Sequence, residues 1–450
     1  MSAIQSWLDR LKKRQTPELS WPDYRQNEAL EALAQAGSNA TWAEISSHYN
    51  GFVREIAVRE LCRHPSPEAL VALIERLNDW VPQIRDLATA GLEHYLSPDH
   101  IQALLYAVEP LLALAARRRA DHGKTLQTAR AVLQLPAIRD TVHANFLTRQ
   151  GKAARYLFEL LLENEPAPEA LLRSALAHRE VTVKLKAVSA CQQAPDAHTR
   201  LLLLEALSQP GAKFRVCVLR ALLPLLDDPR PVICEALLDA SPSIRSLARW
   251  AAPNSNVDAA TILADRLKQA TPIKKRNWLG LLGLAAELNI ELEPHWQKEA
   301  MRSSYPTVRH AAVSTLSDSL LPELLGGLDD PSDKVFAAAI TRLNKHPWSL
   351  VKAGVDAKLD RDWHDLSIKR RSAILQVRPL WQQAAYLLAR LDAEPTIQAF
   401  WLRQLSVWCD RQYQMVDPVT PKTERSAVAE RLRALAAQGL IDRNSVARVV

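Results

Sequence analysis

Cysteine and glycine are both scarce in this sequence of 450 residues. The cysteines are far apart and form no CxxC pair, which argues against a disulfide framework or a zinc site and for a reducing compartment. The 12 glycines are outnumbered by leucine and alanine, so the composition favours helices. The five cysteines are Cys62, Cys191, Cys217, Cys234 and Cys409.

Long hydrophobic runs are also missing. Met1–Arg14 contains no continuous apolar stretch of the signal-peptide type. The most apolar window, Ala103–Ala116, is interrupted by Glu109 and Pro110 and is too short to span a bilayer. We therefore expect a cytosolic protein without membrane insertion.

Catalytic and cofactor-binding motifs are absent as well. The sequence contains no GxGxxG, GxxxxGK[ST], HExxH or GxSxG, and none of its 12 histidines forms a pair at metal-ligand spacing. The densest polar cluster is Asp360–Asp365, in which Asp362, His364 and Asp365 could bind a metal or act as acid and base. An inter-helix turn with capping carboxylates is the favoured interpretation. We therefore expect no catalytic residue, metal or cofactor.

Proline and positive charge are well represented. The 27 prolines would break long helices but suit many short helices that begin with proline in the first turn. The net charge is +7 and the isoelectric point about 9.1. This mild excess permits an acidic partner without demanding one.

A short pattern recurs along the chain. It consists of a turn with Asp, Asn or Pro, an aliphatic residue followed by a basic one, and an alanine three positions after the basic residue. The pattern is clearest in Asn78–Leu92, Asp239–Ala252 and Ser303–Leu316, and looser in Asp329–Leu343. Only the stretch from about residue 96 to 150 lacks it. The aliphatic position serves as the marker of the repeat. It recurs mostly at intervals of 27 to 33 residues, at Val53, Ile84, Ala154, Val183, Phe214, Ile244, Lys275, Val308, Val335 and Ile368.

Each such unit predicts a pair of helices. Apolar residues at helical spacing give each second helix one buried stripe, and the recurring alanine is expected where two helices approach closely. The Asp or Ser of the turn is expected to cap the second helix. Neither helix can bury its apolar face alone, so neighbouring pairs must stack.

A paired-helix unit of this length, with Asp or Pro in the turn and Val-Arg opening the second helix, resembles the HEAT repeat. The shorter units resemble those of phycobilisome lyases. The resemblance covers roughly residues 46–376 and implies an α-α superhelix, an armadillo/HEAT-type solenoid of about ten helix pairs. It also implies that the second helices line a concave face. It says little about function, because such solenoids have many unrelated roles.

The two ends are predicted to differ from the repeats. Residues 1–45 are expected to form capping helices, residues 46–376 the repeat array (irregular at about 96–150), and residues 377–450 a C-terminal cap. In that last region we expect a loop at Asp417–Pro421 and a final helix at Ser426–Gly439. Both caps are rich in aromatic residues, namely Trp7, Trp21, Tyr24 and Trp42 in the first and Trp381, Tyr386, Phe400, Trp401 and Trp408 in the second.

The basic residue of the repeat has two interpretations. It can pair with a turn carboxylate such as Asp79, Asp239 or Asp330 in a structural ladder, which is favoured, or it can join a positive stripe that follows a phosphate backbone. Extra basic residues and two tryptophans on the same helices add to the second interpretation. The candidate concave binding face comprises Lys184, Lys186, Arg215, Arg220, Arg245, Arg249, Trp250, Lys274, Lys275, Arg276, Trp278, Arg309, Lys369, Arg370 and Arg371.

The irregular stretch contains Arg117, Arg118 and Arg119. A basic insertion in a periodic array can carry a grafted function, but a long polar loop is the favoured interpretation.

Three functional hypotheses follow. The first is a non-catalytic scaffold or adaptor that presents its concave surface to a protein partner. The second is a nucleic-acid-binding protein that uses the basic, tryptophan-containing face. A remote third is an enzyme on the same fold. HEAT-like solenoids include DNA glycosylases that use concave Trp, Asp and Arg residues, but no motif here marks a catalytic Asp, and the bilin-lyase resemblance is equally general.

Overall fold

The computed structural model describes the protein over residues 21–35, 41–412 and 416–450. It divides into two compact units, one ending at Asp227 and the other extending from Asp228 to Val450. All regular secondary structure in the described ranges is helical. The predicted all-α fold of stacked HEAT-type helix pairs is therefore confirmed.

The N-terminal unit contains fourteen helices among its described residues. They are α1 (Trp21–Gln35), α2 (Trp42–Ile45), α3 (Gly51–Arg63), α4 (Pro67–Arg76), α5 (Pro82–Glu93), α6 (Ile101–Tyr106), α7 (Val108–Leu114), α8 (Gly123–Leu133), α9 (Arg139–Thr148), α10 (Gly151–Glu163), α11 (Glu169–Ala177), α12 (Val181–Gln193), α13 (Ala197–Ala206) and α14 (Ala212–Leu222). Short 3-10 turns occur at Pro98–His100, Pro136–Ile138 and Leu223–Leu225.

The C-terminal unit contains another fourteen helices among its described residues. They are α15 (Arg230–Leu237), α16 (Pro242–Ala251), α17 (Ala259–Leu267), α18 (Lys275–Glu287), α19 (Pro294–Met301), α20 (Pro306–Thr315), α21 (Leu321–Gly326), α22 (Asp333–Leu343), α23 (Trp348–Asp362), α24 (Ile368–Leu375), α25 (Leu380–Ala393), α26 (Gln398–Asp410), α27 (Lys422–Ala437) and α28 (Arg443–Ala447). Short 3-10 turns occur at Pro253–Ser255, Asp318–Leu320, Gly327–Asp329 and Pro395–Ile397.

Within each unit, the helices pack as two layers. Second helices pack side by side, with α3 on α5 and α10 on α12 on α14 in the N-terminal unit, and α18 on α20 on α22 in the C-terminal unit. First helices do the same, as α11 on α13 and α21 on α23. The starts of neighbouring second helices therefore lie side by side, and we call this row of turns the turn edge of a unit.

The repeat pattern predicts the register of most second helices. In seven of them the aliphatic marker is the third residue of the helix and is at most 3% exposed. The residue four positions later is at most 2% exposed, because neighbouring helices pack closely there. It is the recurring alanine in six of these helices and Val218 in α14. The seven markers are Val53, Ile84, Val183, Phe214, Ile244, Val308 and Val335.

The register prediction is wrong at α18, where the predicted marker Lys275 is the exposed first residue of the helix, and at α24. Ile368 is the first residue of this helix and is 76% exposed, and the buried apolar residue is Ile374. The residue at the repeat's basic position is Arg371, the fourth residue of the helix, and not Lys369. The short helix has only one buried residue, so its apolar pattern is too sparse to indicate which positions face the core.

The turn aspartates do not cap in the predicted way. Asp79, Asp239 and Asp330 stand two positions before the N-cap residue and accept a hydrogen bond from its backbone N–H at 2.7–3.0 Å. The N-cap serines of α16 and α22 make no side-chain capping bond. Each aspartate thus folds the turn in front of the helix and keeps oxygen atoms free for a second donor.

The irregular stretch forms helices despite the missing pattern. Helices α6 and α7 are separated by a break at Ala107, and a connection from Ala115 to His122 precedes α8.

The predicted N-terminal cap lies partly outside the described residues. Those not described are residues 1–20, which include Trp7, residues 36–40 and the Trp21 side chain. Near the C-terminus, Trp381, Tyr386, Trp401 and Trp408 are at most 8% exposed. The predicted final helix begins earlier, at Lys422, and is followed by α28.

Candidate functional site

The basic residue of the repeat makes a hydrogen bond to the backbone of the turn that precedes its own helix. In four second helices the arginine is the fourth residue, and its Nη1 donates to the backbone carbonyl six residues earlier. The same bond recurs because the same turn recurs. The pairs are Arg54 with His48 at 2.9 Å, Arg85 with Asp79, Arg245 with Asp239 and Arg309 with Ser303, each of the last three at 2.8 Å.

The same arginine also bridges to a neighbouring turn. Arg54 Nε and Nη2 donate to both Asp79 carboxylate oxygens at 2.8 and 2.9 Å. Arg309 does the same with Asp330 at 2.6 and 3.0 Å. Only 3% of the Arg54 side chain and 4% of the Asp79 side chain are exposed. These two donors therefore join adjacent helix pairs in a structural ladder.

Other candidate residues make hydrogen bonds or ion pairs of other kinds. Lys184 Nζ donates to Gln209 Oε1 at 2.9 Å and lies 4.8 Å from the centre of the Phe214 ring. Arg276 donates to Asp239 at 2.8 Å. The remaining pairs are Lys186 with Glu159, Arg245 and Arg249 with Glu287, Arg370 with Asp333, and Arg371 with the Leu366 carbonyl.

Four of the candidate residues are buried, among them Lys184 at 9% and Arg245 at 3% exposed. Trp278 is 5% exposed and packs edge-on against Trp296, with ring centres 5.9 Å apart. Arg215 is 8% exposed. Trp278 contributes to the core between α18 and α19, so its ring is not available for stacking with a ligand.

Five candidate residues are exposed, and their side chains make no hydrogen bond or ion pair with the part of the chain that the structure describes. Arg220 belongs to the N-terminal unit, and the other four to the C-terminal unit. Trp250 lies in the last turn of α16, at the end opposite to the turn edge, and is 71% exposed. The other three, Lys274, Lys275 and Lys369, lie on the turn edge of the C-terminal unit.

Apolar side chains accompany these lysines, and sequence reasoning missed them. Ile273 and Ile368, next in sequence to the lysines, are 89% and 76% exposed, and Tyr305, in the turn before α20, is 38% exposed. A large apolar residue at the first helix position or within two residues before it, outside the buried stripe, was the available signal. The turn edge of the C-terminal unit thus presents apolar and positive groups together, over on the order of 30 Å at the usual helix spacing.

The ladder makes stability depend on pH. Burial alone would raise the pKa of Asp79, but hydrogen bonds from Arg54 and the Val81 N–H and the charges of Arg54 and Arg76 outweigh it and lower the pKa. The pKa of Asp330 is lowered in the same way by Arg309, the Ser332 N–H and Arg370. A lowered folded-state pKa adds stability above the unfolded value, and this is lost as the pH falls through the folded value.

We therefore expect the melting temperature to fall as the pH drops below about 4, the ordinary pKa region of aspartate. Thermal unfolding followed by circular dichroism between about pH 7 and pH 2.5 measures it. Asp330→Asn should melt lower at neutral pH and show a shallower acid slope. A wild-type melting temperature that stays constant through this range would contradict the prediction.

The polar cluster Asp360–Asp365 is engaged in structural contacts. It contains the end of α23, so it is only partly the predicted turn. Hydrogen bonds from Arg361 and Lys358 lower the pKa of Asp362 to about 2, and Asp360 accepts a bond from the Tyr386 hydroxyl at 2.9 Å. No group of three metal-ligating side chains occurs within the described ranges.

The two buried thiols are also poor candidates for chemistry. Burial raises the pKa of Cys191 and of Cys409 to about 11. At neutral pH both are therefore protonated, and the thiolate that nucleophilic catalysis needs is scarce.

None of the helices within residues 21–35, 41–412 and 416–450 is long and apolar enough to cross a bilayer.

No protein-family model and no curated protein matches this sequence. Among solved structures, one that aligns with it is a C-terminal fragment of the cohesin loader SCC2 from Chaetomium thermophilum. The alignment covers 95% of this chain and 43% of the fragment, with 12% sequence identity and a TM-score of 0.28. This chain therefore spans less than half of that fragment.

Proposed function

We propose that this protein is a non-catalytic binding scaffold whose C-terminal turn edge docks an acidic protein partner. The observation that carries the proposal is the exposure of Ile273 and Ile368 beside Lys274, Lys275 and Lys369. Isolated exposed aliphatic residues are common, but three turns of one edge carry a large apolar side chain. The free thiols fit the cytosol that the sequence predicts.

Partner chemistry follows from the same side chains. Protein interfaces combine an apolar centre with charges that steer the approach, and the unpaired lysines would attract carboxylates. Ile273 and Ile368 have no flat face on which a base could stack. Trp278 is buried, and Tyr305 is only 38% exposed. The edge therefore favours an acidic protein surface over a nucleic-acid strand.

Nucleic acid remains the second candidate because Lys274, Lys275, Lys369 and Arg220 have no partner within the described residues. Phosphate binding by such groups weakens steeply with salt. Labelled duplex and single strand, titrated at low and at physiological salt, distinguish this candidate. No binding at low salt would exclude it.

The scaffold proposal is tested with the variant Ile273→Ser/Lys274→Glu/Lys275→Glu. Arg276 stays unchanged because its bond to Asp239 belongs to the ladder. Co-purification from the native cell, quantified by mass spectrometry, should show specific partners reduced by about tenfold or more, the effect of losing an interface centre.

The matched control is Lys345→Glu/Leu350→Ser. These exposed residues lie after the end of α22 and in the first turn of α23, opposite to the turn edge. The control should retain every partner, and both variants should keep the wild-type helicity. Equal partner recovery from the wild type and the turn-edge variant would refute the proposal.

A further inference from the structure

Trp80 is an exposed tryptophan that the fold holds in place. It lies in the turn between α4 and α5, and 61% of it is exposed. The Arg54 guanidinium lies 4.7 Å from the ring centre on one side. Arg54 is itself fixed by Asp79 and by the carbonyls of His48 and Tyr49. The tryptophan is thus backed by a rigid cation while much of its surface faces solvent, an arrangement typical of preorganised binding residues.

Two open cavities meet at Trp80 and share it and Tyr49 as walls. The smaller, of about 350 Å³, is also lined by Arg117 and Arg119. The larger, of about 740 Å³, is lined by Phe52, Val81 and the backbone of Gly51. One cavity is therefore basic and the other mainly apolar.

The basic wall comes from the irregular insertion, which is fastened to the Trp80 turn. The backbone N–H of Arg119 donates to Asn78 Oδ1 at 3.1 Å, and its guanidinium donates to the Asn78 carbonyl at 3.2 Å. The Arg117 side chain makes no hydrogen bond or ion pair with any described residue and is exposed. The connection after α7 thereby places an uncompensated positive charge beside the tryptophan.

We propose that this Trp80 cleft binds a peptide segment in which an acidic residue stands close to a large apolar residue. The carboxylate pairs with Arg117 and Arg119, and the apolar side chain enters the larger cavity against Phe52 and Trp80. Arginine binds carboxylates in a planar, two-bond geometry, and a rigid aromatic ring supplies contact area at a low entropic cost. The proposal rests on the scaffold function only in that both sites take protein partners.

A nucleic-acid strand fits the cleft less well. Glu75 lines the smaller cavity and Glu55 the larger one, so a phosphate backbone crossing both would meet a carboxylate in each. A peptide carries its negative charge at one residue and can avoid both. The charge pattern therefore favours the peptide.

The test is a selection of phage-displayed random peptides on the immobilised full-length chain. We expect enriched sequences that combine Asp or Glu with Phe, Leu or Trp. Synthetic peptides made from them should bind Trp80→Ala and Arg117→Glu/Arg119→Glu at least about tenfold more weakly than the wild type. The turn-edge variant should bind them normally, which separates the two proposals.

Arg118→Glu is the matched control, since it reverses the same charge in the same loop but lines neither cavity. It should bind the peptides within about twofold of the wild type, and unchanged melting temperatures verify that all variants fold. No enrichment, or peptides that bind Trp80→Ala equally well, would overturn the proposal. If no peptide is enriched and a mixed-sequence oligonucleotide binds the wild type but not Arg117→Glu/Arg119→Glu, the cleft is a nucleic-acid site and the proposal is wrong.

Discussion

Arg54→Ala is expected to lower the free energy of unfolding of the α3–α5 region by about 3–5 kcal/mol. The substitution leaves the Asp79 carboxylate buried and without its two-bond partner, since Arg76 lies 3.7 Å away. It also frees the carbonyls of His48 and Tyr49. Hydrogen–deuterium exchange of the full-length chain measures the effect locally, because stability in a repeat array is set by neighbouring pairs.

Arg59→Ala provides the matched control on the same helix. Arg59 pairs with Glu55 at 2.8 Å, but 53% of the Arg59 side chain is exposed, so the loss should stay below about 1 kcal/mol. Arg54→Lys keeps the charge but loses the planar geometry and should lie between the two. Similar exchange in Arg54→Ala and Arg59→Ala would show that the ladder has no structural role.

Gly280→Ala is expected to destabilise the packing of α18 by about 3 kcal/mol, the upper end for overpacking a tight contact. A Cβ at this position would lie 1.8 Å from the Leu238 carbonyl oxygen and 2.6 Å from its carbon. Both are backbone atoms, so no side chain can rotate away, and α18 must move as a whole. Faster exchange in α18 and in the turn at Asp239 would report this movement.

Gly326→Ala is the control for the glycine substitution. An added Cβ there meets no atom within 4 Å, and Gly326 is the last residue of α21. Alanine favours the helix over glycine by up to about 1 kcal/mol, so stability should be unchanged or slightly higher. If Gly280→Ala behaves like Gly326→Ala, the close approach of α18 to Leu238 does not exist in solution.

The sequence predicts the repeat units well because the same packing contact between neighbouring helices recurs in each unit. A buried residue such as Val308 or Ile244 and its following alanine recur in register, and this repetition distinguishes a buried stripe from chance. The ladder follows from the same pattern, because the basic residue of one unit and the turn aspartate of the next pair in the same way, as Arg309 and Asp330 do. The shared physical cause is a packing arrangement that repeats.

Features that occur once could not be predicted in the same way. Trp278 resembles a surface aromatic among basic residues, but Trp296 from the neighbouring helix covers it. The cleft at Trp80 depends on a non-periodic connection folding back onto Asn78, 41 residues away from Arg119. Such contacts between distant segments leave no periodic signal in the chain.

The ladder also has a consequence for how the chain folds during synthesis. Arg54 and Asp79 are 25 residues apart, and Arg309 and Asp330 are 21 apart. Each of these rungs can close as soon as the next turn has left the ribosome, without waiting for a distant segment, and local contacts of this kind form quickly. A nascent chain would therefore gain order pair by pair in the direction of translation, and a release before its end would leave the completed pairs folded.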